Sequence, residues 1–215
     1  MSGGAAAPPP AGDGVEALRA ADPVMRSLVE THGPLDPRER RRGRPADAYG
    51  ALVRSIVGQQ LSTKAARSIY ERLTALFGDR TPTPRELLDA DAERVRAVGL
   101  SRAKVAYLRD LAARVLAGEL ELDRLGELSD EEVSAQLTAV KGLGQWTADM
   151  FLMFHLARPD VLPVGDLGVR RAVQRAYGLH TPPTPEELTA LAEPWRPHRT
   201  LASLYLWRSL DNEPT

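Results

Sequence analysis

An all-α fold is predicted, and three observations predict it. Apolar residues recur at helical spacing, as in Leu52, Val53, Ile56 and Val57, and again in Val133, Leu137 and Val140. Three helix starts are spelled out as Thr83-Pro84-Arg85-Glu86, Ser129-Asp130-Glu131-Glu132 and Thr184-Pro185-Glu186-Glu187, each a capping box in which hydroxyl and carboxylate satisfy each other's backbone N–H. Two of these carry proline at the first helical position, where a missing N–H is harmless. No stretch alternates as a strand would.

Bulk properties narrow the class. A chain of 215 residues can form one domain, or two small lobes flanking a cleft. Apolar content of 43% and charged content of 27% are those of a soluble globular protein rather than a disordered one. The absence of cysteine excludes disulfides, thiolate zinc sites and iron–sulfur clusters. No apolar run reaches the roughly eighteen residues of a membrane span, and no charged-then-apolar leader is present. A cytoplasmic, monomeric protein without a membrane partner is expected. A net charge of −1 gives no global argument for nucleic acid, so DNA binding would rest on local positive charge and backbone amides.

The elements follow in order. Met1 to Gly14, rich in Gly, Ala and Pro, reads as a disordered tail, and residues 15–215 as one folded unit. A helix starts near Val15, and Asp22-Pro23 opens another carrying Met25, Leu28 and Val29. Arg38 to Arg44 is a basic run that fits a solvated linker face as well as a stripe tracking phosphates. Tyr49 to Gln59 forms a helix, and Ser62 to Phe77 forms the next, stopped by Gly78. The break at Gln59-Gln60-Leu61 is odd, because glutamine has no turn preference; a polar pair on an exposed corner is the plain alternative. Val95 to Val98 ends at Gly99, and Ser101 to Leu116 is a long helix ended by Gly118. Its Arg102 and Lys104 lie in the first turn, where positive charge opposes the dipole, and so suggest an external anion.

Val140 to Ala148 is the turn around which the chain is organised. It joins the amphipathic helix of Val133, Leu137 and Val140 to a stretch, Thr147 to Ala157, that is apolar almost all round. Gly142 and Gly144 permit a tight hairpin. The second helix begins with free N–H groups around Gly144, Gln145 and Trp146, where a phosphate fits without any side chain. The first helix ends in orphan carbonyls; those of Thr138 and Val140, with Leu143, can hold a monovalent cation. The same spacing also fits an ordinary αα-hairpin with a glycine cap. Asp166, ahead of a helix from Leu167 to Tyr177, likewise reads by itself as an N-cap.

The segment Leu137 to Ala148 resembles the hairpin of the helix-hairpin-helix (HhH-GPD) DNA glycosylase superfamily. Leu162-Pro163-Val164-Gly165-Asp166-Leu167-Gly168-Val169-Arg170-Arg171, with Asp166 twenty-two residues past Gly144, is similar to that family's Gly/Pro-rich loop and aspartate. Ile56 to Ser62 and Trp195 to Arg208 agree in the same order, so the likeness covers roughly Asp47 to Arg208. The nearest branch is the 3-methyladenine DNA glycosylase II type.

That resemblance implies two helical lobes, about 46–158 and 15–45 plus 159–215, acting on damaged double-stranded DNA. It implies Asp166 as the catalytic carboxylate and Trp146, Trp207 and Tyr205 as walls of a base pocket. DNA contacts would come from Gln60, which fills the gap left by a flipped nucleotide, and from Ser62, Lys104, Lys141, Gly142, Leu143, Gly144, Gln145 and Thr147. No cofactor is needed for catalysis, and Na+ or K+ would sit at the hairpin carbonyls. Lyase branches carry a lysine two residues after the second hairpin glycine; here that residue is Trp146, which implies a monofunctional enzyme. A glycosylase/lyase for oxidised guanine and a non-catalytic DNA-binding module are the competing readings. Only about 45 residues precede the resembling part, so the N-terminal sheet domain of the best-known bacterial enzyme is expected to be missing.

Overall fold

The computed structural model describes residues 11–37, 39 and 45–211, and these are helical without a strand. The basic run of 38–44 falls, apart from Glu39, outside the described residues. The chain divides into two compact units: one takes the chain up to residue 42 and from Leu152 onward, the other residues 43 to Phe151.

The first unit is discontinuous. Helices α1 (Ala11–Ala21) and α2 (Pro23–His32) come from the front of the chain. Helices α10 (Leu167–Ala176), α11 (Pro185–Leu191) and α12 (Arg199–Asp211) come from the back. Helix α1 starts at Ala11, four residues ahead of the expected Val15, so Ala11 to Gly14 belong to a helix rather than to a tail. Residues 1–10 lie outside the described residues. Helix α12 is the unit's axis: Leu201 to Leu206 are all buried, as in a helix covered on every side. Asp22 caps α2 through Oδ1, which accepts from Val24 N and Met25 N at 2.8 Å each. Its Oδ2 accepts from Tyr177 Oη at 2.8 Å and Trp195 Nε1 at 2.9 Å, so a helix cap doubles as the tie between the front and the back of the chain.

The second unit is continuous. It contains α3 (Ala48–Gly58), α4 (Thr63–Ala75), α5 (Pro84–Asp89), α6 (Ala92–Arg96), α7 (Arg102–Leu116) and α8 (Asp130–Thr138). Helix α9 (Gln145–Phe154) carries the chain out of it. Leu52, Val53, Ile56 and Val57 of α3 are fully buried, as their spacing predicts, and α7 packs against α3, α5 and α6. All three expected capping boxes form, at Thr83, Ser129 and Thr184. Gly78, Gly99, Gly118 and Gly178 stop their helices with positive φ. Among the described residues no helix is long and apolar enough to cross a membrane.

Candidate active site

In the first unit the chemistry gathers at the start of α10. Asp166 is its N-cap: Oδ1 accepts from Val169 N at 2.8 Å. The same oxygen accepts from Trp207 Nε1, on α12, at 3.0 Å. Two donors on one oxygen fix the plane of the carboxylate far better than a cap alone. The half-buried Trp207 indole is backed by Phe154, with ring centroids 6.2 Å apart and planes tilted by 37°. Gly168 makes this approach possible. A Cβ there would stand 2.9 Å from Asp166 Oδ1 and 3.3 Å from Trp207 Cδ1 and Nε1. Sequence reasoning passed over Gly168, since its backbone is ordinary helix and only the three-dimensional crowding explains it.

Tyr205 is a correction. It is fully buried, its hydroxyl donating to Gly33 O at 2.9 Å and accepting from Leu35 N at 3.3 Å. Residues two apart on a helix point about 200° from each other, so Tyr205 cannot share the face of Trp207. It belongs to the packing of the first unit, not to a base pocket.

In the second unit the hairpin between α8 and α9 is closed by Leu143 N donating to Val140 O at 3.1 Å. Its two glycines serve different ends. Gly142 has φ +80, and a Cβ there would lie 2.2 Å from the Tyr107 ring, so this glycine is required by the fold. Gly144 has ordinary φ, and a Cβ there would meet nothing within 4 Å. Among the described residues the N–H groups of Gly144 and Gln145 donate to no backbone carbonyl, which leaves them for an anion at the helix start. Trp146 is 48% exposed beside them. Lys141 keeps its ammonium largely in solvent, 3.6 Å from Asp110 Oδ1, while its N–H donates to Asp110 Oδ2 at 2.9 Å.

Three expected hairpin contacts need correcting. Thr147 is buried, and its N–H already donates to Gly144 O at 2.9 Å. Leu143 has a buried side chain and a committed N–H, so only its carbonyl is available. Gln145 Nε2 donates to Asp149 Oδ1 at 2.8 Å and Ser134 Oγ at 3.4 Å, so in this exposed residue the backbone N–H, not the side-chain amide, is the group left for an anion. The carbonyls of Thr138 and Leu143 receive no backbone N–H outside the regular helices among the described residues, a donor set that suits a monovalent cation.

The corner between α3 and α4 is built with care. Gln60 sits at φ +57, a conformation uncommon for glutamine, with its side chain exposed. Gln59 reaches across to the hairpin, Nε2 donating to Gly142 O at 2.7 Å. Lys104 is a further correction: Nζ donates to Val57 O at 2.9 Å and Gln59 O at 2.7 Å, capping α3 instead of waiting for a phosphate. Burial lowers its pKa from the ordinary lysine value. Ser62 is exposed and caps α4, accepting from Ala65 N at 3.3 Å. Tyr107 and Asp110 were not singled out by sequence, where a polar stripe at i, i+3, i+6 from Lys104 was the available signal; Gln59 stood in the odd Gln59-Gln60-Leu61 break, without a role of its own.

A hairpin with outward amides and a capped carboxylate beside an indole is a combination that comparison with known proteins can test. The family model described as HhH-GPD superfamily base excision DNA repair protein matches residues 53–197. The chain belongs to that superfamily. Among HhH-GPD relatives, DNA-3-methyladenine glycosylase 1 of Schizosaccharomyces pombe is 34% identical over 89% of this chain and 84% of its own length. The putative DNA-3-methyladenine glycosylase YfjP of Bacillus subtilis is 31% identical over 76% of this chain, which spans 59% of that protein. A solved structure of the S. pombe 3-methyladenine DNA glycosylase Mag1 in complex with abasic DNA superposes with a TM-score of 0.82 and 33% identity, covering 93% of this chain and 97% of that one. The all-helical HhH-GPD fold expected from the sequence is thus the fold observed.

Proposed function

We propose that this HhH-GPD chain is a monofunctional DNA glycosylase of base excision repair, releasing alkylated bases of the 3-methyladenine and 7-methylguanine type from double-stranded DNA. The observation that carries the reading is Asp166 Oδ1 held by Val169 N–H and Trp207 Nε1–H, which fixes one carboxylate at the edge of an aromatic ring. An aimed carboxylate stabilises the positive charge that develops on the sugar and orients water toward C1′. A purine methylated at N3 or N7 already carries positive charge and leaves without protonation, so no general acid is needed. Trp207 offers a π face to such a ring, a contact worth about 0.5–2 kcal/mol.

The second unit would grip the duplex. The Gly144 and Gln145 amides take a phosphate without reading sequence, Lys141 and Ser62 add contacts to the backbone, and Gln60 fills the space vacated by the flipped nucleotide. Thr138, Val140 and Leu143 would hold Na+ or K+ by their carbonyls and so stiffen the hairpin. The protein would act as a monomer in the cytoplasm, at the nucleoid. Trp146, at the place of the lyase lysine, supports base release without strand cleavage over the oxidised-guanine alternative.

The test is release of free base from an alkylated duplex by the purified chain, followed by borohydride treatment. Free base with an intact abasic strand and no trapped adduct is expected. No release from any alkylated duplex would refute the activity, and a stable protein–DNA adduct would refute its monofunctional character.

A further inference from the structure

Helix α7 lines up three side chains on one face at three-residue spacing, Lys104, Tyr107 and Asp110, and each holds a part of the surface assigned above to DNA. Lys104 bonds the carbonyls of Val57 and Gln59 at 2.9 and 2.7 Å. Tyr107 is the ring on which Gly142 lies. Asp110 takes Lys141 N at 2.9 Å. Gln59 then closes the loop, its amide donating to Gly142 O at 2.7 Å. Immediately after Gln59 stands Gln60, at φ +57. A non-glycine residue keeps such a conformation only where its surroundings over-determine it.

We infer that Lys104 and Gln59 are positioning residues for Gln60: they fasten the α3–α4 corner to α7 and to the hairpin, so that wedge and phosphate grip enter the duplex as one rigid piece. The inference rests on the proposed function, in which Gln60 fills the flipped-out gap. Lys104 touches neither phosphate nor base. Its ammonium neutralises the carbonyl end of α3 and locks the Gln59 peptide, and through that peptide the direction of Gln60.

The test separates gripping from unstacking in the full chain. Three variants, Lys104→Met, Gln59→Leu and, as benchmark, Gln60→Ala, are titrated onto a duplex with a tetrahydrofuran abasic analogue beside 2-aminopurine. Affinity is read by anisotropy and unstacking by 2-aminopurine fluorescence at saturation; single-turnover release is measured on an alkylated duplex. Lys104→Met and Gln59→Leu should bind undamaged duplex within about twofold of wild type, since phosphate contacts are untouched. All three should lose the fluorescence rise; release should slow by about tenfold or more in Lys104→Met, the scale of a lost hydrogen bond to a charged group, and by several-fold in Gln59→Leu, where the lost bond is neutral. Because Gln59 is partly exposed, Gln59→Leu keeps the test sharp if Lys104→Met folds poorly. A full rise in Lys104→Met or Gln59→Leu alongside a lost rise in Gln60→Ala overturns the positioning role alone. A full rise in Gln60→Ala overturns the wedge and the positioning role together, and absence of release by wild type strikes the proposed function instead.

Discussion

Replacing Trp207 by phenylalanine separates two roles that an alanine substitution would merge. The ring is kept, while the Nε1–H that reaches Asp166 Oδ1 at 3.0 Å is lost. A hydrogen bond to a charged group contributes about 1.5–3 kcal/mol, so base release should slow by about 10- to 150-fold. Val169 N–H remains on the same oxygen, at 2.8 Å, and holds the loss toward the lower end. Because the bond acts on the carboxylate and not on the base, the loss should be the same for 7-methylguanine, which is charged, and hypoxanthine, which is neutral. Trp207→Ala removes the stacking face as well, at about 1–3 kcal/mol more, and this second loss should be larger on the charged base. Single-turnover release of both bases by wild type and the two variants measures each part. Wild-type rates in Trp207→Phe would refute a positioning bond to Asp166. Equal extra losses on both bases in Trp207→Ala would refute charge reading by the ring.

Other consequences are open to the same kind of measurement. Asp166→Asn should fold and bind DNA normally, since asparagine also caps helices, yet release base at least about 100-fold more slowly; near-normal turnover would reject Asp166 as the catalytic carboxylate. Gly168→Ala should gain helix propensity, about 1 kcal/mol, and lose about as much at the disturbed Asp166 cap, so the melting temperature should stay about level. Its Cβ, 2.9 Å from Asp166 Oδ1, should displace the carboxylate and cost about 10- to 100-fold in release; an unchanged rate would show that the carboxylate has room to spare. At the hairpin, Gly142→Ala should destabilise by about 2 kcal/mol or more because of its positive φ and the Tyr107 ring. Gly144→Val should leave the melting temperature in place and weaken binding to damaged and undamaged duplexes alike, and unchanged affinity would make the hairpin purely structural.

Local structure was the part most legible in the sequence. Capping boxes, glycine stops and the buried stripe of α3 are decided by residues within a few positions of one another, and each appears where its chemistry puts it. Asp166 was visible as a cap for the same reason. Its bond to Trp207 spans 41 positions, and no local pattern encodes it. Lys104 shows the limit from the other side. A lysine in the first turn of a helix looks like bait for an anion, but the carbonyl end of a distant helix satisfies it equally well. Tyr205 was misassigned by closeness in sequence to Trp207, although helical geometry alone points the two in opposite directions.

The Asp22 tie has a bearing on how the chain is made. Its partners Tyr177 and Trp195 emerge 155 and 173 residues later, and Tyr205 meets Leu35 across 170. During synthesis residues 43–151 are complete and able to close their own core while the front helices still lack most of theirs. The unit that carries Asp166 is therefore finished last, and its closure pays the loop entropy of everything in between. On the proposed function, a nascent chain passes through a stage that carries the hairpin before Asp166 has its bond to Trp207. Pulsed proteolysis of stalled chains would show protection of the middle segment first and of α1 and α2 only after α12 has left the ribosome.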